Sequence, residues 1–288
     1  KRISSVAIIV NYTKTDAIEI VNRIINELLN RGVEVYITVK LREILKDSRC
    51  IAVESKNIAR YAEVFIVIGG DGTFIGVARE YSRFNVNILP VNIGHLGFLS
   101  EISAGELINR FDSLLTGKFP IERRLMLDSV FGRHRHSAVN EIAVSQRSLA
   151  RLISLDIYIN DDFFAAIRAD GVIISTPNGS TGHSLSAGGP IVNPGLNCLI
   201  FTPLCAHSLA IRPIILAVND RIKIIATGKS EAIITIDGQQ QYPLRRNLTL
   251  EISAAEHTFN IIKLKPLPYY ELIKTKLTAE GHHTYVIN

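Results

Sequence analysis

The chain has 288 residues, 47% of them hydrophobic, and a formal net charge of +5. At about 150 residues per domain this implies two domains, with enough core to fold without disulfides or metal staples. No run of five basic residues appears, so the mild positive balance excludes a dedicated nucleic-acid binder and suits an anionic small molecule.

Val6–Val10 is a continuous apolar run, too short for a signal-peptide core, and reads as a buried parallel strand. Asp16-x-x-Glu19 resembles a capping box. Ile20, Val21, Ile24, Ile25, Leu28 and Leu29 follow at helical spacing, with Gly32 as the stop. Val33–Val39 and Val64–Ile68 are the next strands, and the second delivers the turn Gly69-Gly70-Asp71-Gly72-Thr73. A helix opens over Phe74–Tyr81. Asn87–Val91 is a further strand, leading into Asn92-Ile93-Gly94-His95-Leu96-Gly97-Phe98. Ser103-x-x-Glu106 caps a helix ending near Gly117. This order implies an α/β N-terminal domain over 1–120, a parallel sheet covered by helices.

The texture changes after Lys118-Phe119-Pro120 to short strands separated by turns. The basic cluster Arg133-His134-Arg135-His136 reads as a solvated hairpin tip. Ser154–Ile159 and Phe163–Ile167 flank Asn160-Asp161-Asp162 as a hairpin. Leu196 to Val218 is the most apolar region, but Asn197, Thr202, Pro203, His207, Arg212 and Pro213 interrupt it. A membrane span needs about 20 mostly apolar residues. Ile222–Ala226, Ala232–Ile236, Leu248–Ile252 and Phe259–Leu264 continue the series. An all-β, sandwich-like C-terminal domain over 121–266 is expected. The segment 267–288 carries helical spacing from Tyr269 to Leu277 and is expected to pack back on the first domain. Cys50, Cys198 and Cys205 form no CxxC pair and read as small buried hydrophobes. A cytoplasmic protein that engages no membrane is expected.

Two glycine loops carry the chemistry. In Gly69–Thr73 the glycines leave room for phosphate oxygens near the main chain, at the carboxyl end of a strand where open α/β sheets bind ligands. Asp71 can accept a proton from a hydroxyl nucleophile or hold Mg²⁺ against phosphate. The turn alone is also compatible with a plain Gly-Asp-Gly bend, and it is neither a P-loop nor a strict GxGxxG. The second loop is longer: Asp170-Gly171-Val172-Ile173-Ile174-Ser175-Thr176-Pro177-Asn178-Gly179-Ser180-Thr181-Gly182-His183-Ser184-Leu185-Ser186-Ala187-Gly188-Gly189-Pro190. Its glycines and hydroxyls suit close approach to a phosphorylated ligand.

The GGDGT turn resembles the signature of the superfamily that includes NAD kinases, diacylglycerol-type lipid kinases and, more distantly, phosphofructokinases. The loop from Asp170 to Pro190 resembles the NAD kinase family specifically, as do Asn140-Glu141, Asn92–Leu99 and Ile236-Asp237-Gly238-Gln239. The resemblance covers nearly the whole chain. It implies transfer of a phosphoryl group from ATP or another donor to the 2′-hydroxyl of the adenosine ribose of NAD, assisted by Mg²⁺ or another divalent metal whose ligands it does not identify. Asp71 matches the catalytic aspartate, with Gly69, Gly70, Gly72 and Thr73 as the phosphate loop. The resemblance also implies NAD contacts at Asp71, Gly72, Phe74, Asn140, Glu141, Arg151, Arg168, Asp170, Thr181, Gly182, His183, Ser184, Leu185, Ser186 and Gln239. An arginine at position 168 goes with a preference for NAD over NADH. A homo-oligomer, dimer or tetramer, is implied as well. His95 and His207 read as structural, because phosphoryl transfer needs alignment and charge neutralisation more than a covalent nucleophile.

The family usually reads Thr-Gly-Ser-Thr-Ala-Tyr-Ser where this chain has Asn178-Gly179-Ser180-Thr181-Gly182-His183-Ser184. An imidazole is smaller than a phenol ring and can carry a proton, which implies weaker or more pH-sensitive NAD binding. Asn178 reads as a minor change. Two other functions fit part of the pattern. A lipid or small-alcohol kinase accounts for the turn but not for Asn140-Glu141 or the long loop. A non-catalytic dinucleotide sensor is favoured by Gly182-His183 alone, and Asp71 argues against it.

Overall fold

The computed structural model describes residues 2–11, 17–93, 97–100, 102–147, 152–206, 211–228, 230–265 and 268–281. Asp16, Gly94, His95, Leu96, Arg151 and His207 lie outside them. The chain divides into two compact units, one of residues 1–122 with 260–288 and one of residues 123–259.

The first unit runs β1 (Ser5–Val10), α1 (Ala17–Asn30), β2 (Glu34–Thr38), α2 (Val39–Leu45), β3 (Ile51–Val53), β4 (Val64–Ile68), α3 (Asp71–Tyr81), β5 (Asn87–Asn92), β6 (Ile102–Ser103), α4 (Ala104–Ile108), α5 (Phe111–Leu115) and β7 (Ile121–Arg124). Its sheet has the order β3-β2-β1-β4-β5, with β6 beside β5, and these pairs are parallel. The strands are apolar because helices cover both faces: all five residues of β4 are buried. Ala17, Val21, Ile24, Ile25 and Leu28 form the buried stripe of α1, and Gly32, at φ +73°, stops it. The strand order reverses between β1 and β4, which is where such sheets bind ligands. The GGDGT turn leaves β4 at that point.

Two helical details differ from expectation. The second strand stops at Thr38, whose hydroxyl accepts from the Leu41 N–H at 3.2 Å and starts α2. The helix expected from Ser103 to near Gly117 is two pieces. The Ser103–Glu106 capping box forms, but Arg110 is non-helical and its guanidinium reaches the Leu264 carbonyl at 3.3 Å.

The second unit runs β8 (Leu127–Phe131), β9 (His134–Ala138), β10 (Glu141–Gln146), β11 (Ile153–Ile159), β12 (Asp162–Ala169), β13 (Gly171–Ser175), α6 (His183–Ser186), β14 (Cys198–Leu204), β15 (Ile214–Ala217), β16 (Ile222–Ala226), β17 (Ala232–Ile236), β18 (Gln240–Leu244) and β19 (Thr249–Ala254). Two six-stranded sheets result, β15-β14-β13-β10-β17-β18 and β12-β11-β16-β19-β8-β9. Phe131, Ile142, Val144, Leu155, Val172, Phe201, Ile224, Ile234 and Ile252 are among the residues of their shared core. Asn160 and Asp161, at φ +54° and +72°, make the two-residue hairpin turn, so Asp162 already belongs to β12. The apolar region 196–218 supplies β14 and β15. Among the described residues no helix is long and apolar enough to cross a membrane.

The segment Phe259–Leu264, expected in the sandwich, is a correction. It forms β20 (Phe259–Ile262), which lies between β5 and β7 and pairs parallel with β5 through Asn260↔Asn87 and Ile261↔Ile88. All four of its residues are buried, unlike the alternation in β16 and β17, as a strand covered on both faces requires. The chain then enters α7 (Tyr269–Gly281). Lys265 pairs with Glu106 at 2.7 Å and the Lys276 ammonium sits 5.6 Å from the Phe98 ring centroid, both within the first unit.

Candidate active site

In the first unit Asp71 is the opening residue of α3, with Gly70 as its N-cap. A helix N-terminus presents N–H groups and the positive end of the helix dipole, a ready place for phosphate. The Gly69 N–H donates to the Val91 carbonyl at 2.9 Å, fixing the turn to β5. The side chain of Thr73 lies against Gly69, where a Cβ would come within 2.7 Å of its Oγ1. The carboxylate of Asp71 accepts from the N–H of Phe98 at 2.8 Å, the N–H of Leu99 at 3.4 Å and the hydroxyl of Ser100 at 3.5 Å. Gly97 is required by close approach, since a Cβ there would lie 2.0 Å from Asp71 Oδ1. Phe74, expected to touch the dinucleotide, is a packing residue instead. It is 1% exposed, on the buried face of α3 with Ile75, Val77, Ala78 and Tyr81.

In the second unit the centre is Asp237, in a left-handed turn at φ +49°. Its carboxylate accepts from three successive backbone N–H groups, Val139 at 3.0 Å, Asn140 at 2.7 Å and Glu141 at 3.2 Å. The Asp237 N–H returns a bond to the Glu141 carbonyl at 3.0 Å. Asn140 and Glu141 are thus set at the entrance of β10. Asn178 then orients the Asn140 amide. A guanidinium only donates, so the Arg124 bond at 3.2 Å identifies the Asn178 carbonyl oxygen. Asn178 Nδ2 must then donate to Asn140 Oδ1, at 2.6 Å. Asn140 is left presenting its NH₂. Asn178, a minor change by sequence, is the link in this relay. Gly179 is needed because a Cβ would meet the Asn140 carbonyl oxygen at 2.2 Å.

Glu141 is 6% exposed, and its Oε2 has no hydrogen-bond partner among the described residues. Burial, reinforced by the charge of Asp237, pushes its carboxyl up to about 8. Gly182 lies over the pair: a methyl there would be 3.5 Å from Asn140 Nδ2 and 3.6 Å from Glu141 Oε2. The structure therefore brings together Asn140, Glu141, Gly182 and Thr181, whose hydroxyl donates to the Asn178 carbonyl at 3.3 Å.

Other expected residues divide. His183 and Ser186 are exposed on the single turn of α6, and Leu185 is half-buried. Ser184 is fully buried and shares a hydrogen bond of 2.9 Å with Thr202, so its hydroxyl supports the loop from within, a correction to its expected role as a ligand contact. Gln239 is exposed in the turn after Asp237. Asp170 precedes β13 while the loop follows it, so a strand's length, roughly 17 Å, separates them. Its backbone bonds Leu204 and Gln146, and Arg168 is exposed nearby on the edge strand β12. Arg151 lies outside the described residues.

Sequence reasoning missed the grip of residues 97–100 on Asp71, the role of Asp237 and the Arg124–Asn178 relay. The first two fall inside segments whose pattern was noticed; nothing local marked Arg124. Among the described residues no group of three or more His, Cys, Asp or Glu side chains could hold a metal ion.

The family model for the ATP-NAD kinase N-terminal domain matches residues 6–119, and that for the C-terminal domain matches residues 139–264. The chain belongs to the ATP-NAD kinase family. An NAD kinase of Syntrophotalea carbinolica is 37% identical over 268 residues, covering 91% of this chain and 94% of its own. One of Caldanaerobacter subterraneus subsp. tengcongensis is 36% identical over 282 residues, covering 95% and 98%. Among solved structures, an Archaeoglobus fulgidus NAD kinase in complex with ATP matches with a TM-score of 0.78 and 25% identity, over 95% of this chain and 98% of that one. Yeast NADH kinase complexed with NADH shares the fold, at a TM-score of 0.87 and 23% identity over 100% and 90% of the two chains.

Proposed function

We propose that the 2′-oxygen of the adenosine ribose of NAD attacks the γ-phosphorus of ATP, that the bond from that phosphorus to the β-phosphate bridging oxygen breaks, and that ADP and NADP leave. As a family member the chain is a phosphotransferase with NAD as acceptor. Asp71 orients the attacking hydroxyl and takes its proton. Gly69, Gly70, Gly72 and Thr73 form the phosphate loop. Asn140 and Glu141 bind the adenosine end, the amide as donor and the carboxylate as acceptor. Thr181, Gly182, His183 and Leu185 cover it, and Asp170, Arg168 and Gln239 serve the rest of the dinucleotide.

The observation that carries this reading is the buried Oε2 of Glu141, without a hydrogen-bond partner among the described residues, beside an amide whose donor face is fixed. A buried polar group left unsatisfied costs free energy, and a ligand's hydroxyls would satisfy it. Mg²⁺ fits the donor set only in the way it usually joins a protein, through one carboxylate and the substrate phosphates. Asp71 would be that carboxylate only in place of its role as base, and the ion would neutralise phosphate charge. We place the protein in the cytoplasm as a homo-oligomer. Exposed Phe163 and Phe164 on the edge strand β12 favour self-association.

The test combines ATP, Mg²⁺ and NAD and detects NADP with an NADP-specific dehydrogenase. Asp71→Asn is expected to abolish turnover while calorimetry still records NAD binding. Undiminished turnover in that variant rejects the assigned role.

A further inference from the structure

The two sheets of the second unit end at β9 and β18, and the cluster Arg133–His136 lies at that shared end. Arg133, His134 and Arg135 are exposed there and His136 is half-buried. The β8–β9 register pairs Phe131 with His134 and Ser129 with His136, so the imidazoles alternate to one face and Arg135 to the other. Phe131, His134 and Tyr242 of β18 form a triangle of rings, with centroids 5.3, 5.4 and 5.8 Å apart. Phe131 is buried at its base and His134 is exposed. Beside the rings lies a cavity of about 310 Å³, lined also by Arg133, Arg245 and Leu248. That is at the lower end of the roughly 300–1,000 Å³ typical of ligand sites. Among the described residues no carboxylate lines it.

An apolar aromatic floor with arginines and no acidic group is complementary to a flat ring carrying negative charge. Exposed ring faces stack on a base, and guanidinium groups bind phosphate in pairs of hydrogen bonds. We propose that this cleft is a binding site for a nucleoside phosphate, additional to those of the phosphoryl-transfer reaction. The base stacks on His134 and Tyr242, and the phosphate is held by Arg133 and Arg245. From His134 the chain runs along β9 to Asn140, roughly 20 Å of extended strand, so the cleft does not share its ligand with Asn140 and Glu141.

Equilibrium dialysis of radiolabelled ADP against the full chain tests this by counting sites. Arg133→Ala/Arg245→Ala is expected to bind one ADP fewer per chain in the accessible range, that site being weakened at least about tenfold. The kcat and the KM for NAD stay as in the parent. His134→Glu, which sets a negative charge beside the phosphate, is expected to lose the same site. All these positions are exposed, and an unchanged thermal midpoint verifies folding. Equal ADP stoichiometry and affinity in the parent and both variants overturns the proposal.

Discussion

Asp71 keeps its carboxylate in place because residue 97 contributes no side-chain atoms, and because Phe98 and Leu99 turn their N–H groups toward it. Gly97→Ala must push the carboxylate or the 97–100 segment aside. A misplacement of about 1 Å can cost about 100-fold in rate. The expected result is a kcat lower by about that factor with the KM for NAD little changed, read from initial rates. A KM effect with kcat intact would show that the segment serves binding. Glu141 carries a second prediction at this scale. Its carboxyl titrates near 4.5 when unfolded and is raised to about 8 in the fold. The folded state therefore holds the extra proton between those values, and stability is full below about 4.5 and declines as pH rises to about 8. If NAD takes the carboxylate as acceptor, binding strengthens over the same rise, approaching about tenfold per pH unit below 8. Calorimetry in two buffers of different ionisation enthalpy is expected to show proton release at pH 7, and Glu141→Gln is expected to abolish it.

At the scale of elements, α2 ends on Lys46 in the left-handed conformation, φ +55°, with its N–H bonded to the Arg42 carbonyl. Glycine takes that conformation without steric penalty, so Lys46→Gly is expected to stabilise the protein by about 0.5–1 kcal/mol. A urea midpoint that rises with an unchanged slope checks it. Most elements were legible because their burial is one-sided and local: the stripe of α1, the Ser103–Glu106 box, the alternation in β11, β16 and β17. β20 was assigned to the wrong sheet because Phe259–Leu264 reads equally as either kind of strand, and only its partner β5 decides. The candidate site was legible in its parts, Asp71, Asn140, Glu141 and the long loop. What holds them was not. Asp237 lies 96 residues from Glu141, and Arg124 lies 54 from Asn178. Such pairings leave no periodic trace. Phe74 shows the converse error, since a residue that follows a functional turn inherits its neighbours' significance while its side chain packs inward.

Across the whole molecule, the first unit is discontinuous, and residues 123–259 are inserted between β7 and the returning β20. A chain ending at residue 259 lacks the strand that lies between β5 and β7, along with the Lys265–Glu106 pair. Hydrogen exchange on that truncation is expected to show native protection in the sandwich strands and reduced protection in β5 and α4. Full protection in both would mean that β20 is dispensable. Domains usually become complete from the N-terminus as they are synthesised. Here the order is inverted. The ribosome finishes the sandwich while the α/β unit still waits for its missing strand. The nascent chain would thus present the finished sandwich, with Asn140 and Glu141, before the unit that carries Asp71 is whole, and competence waits for residues beyond 259.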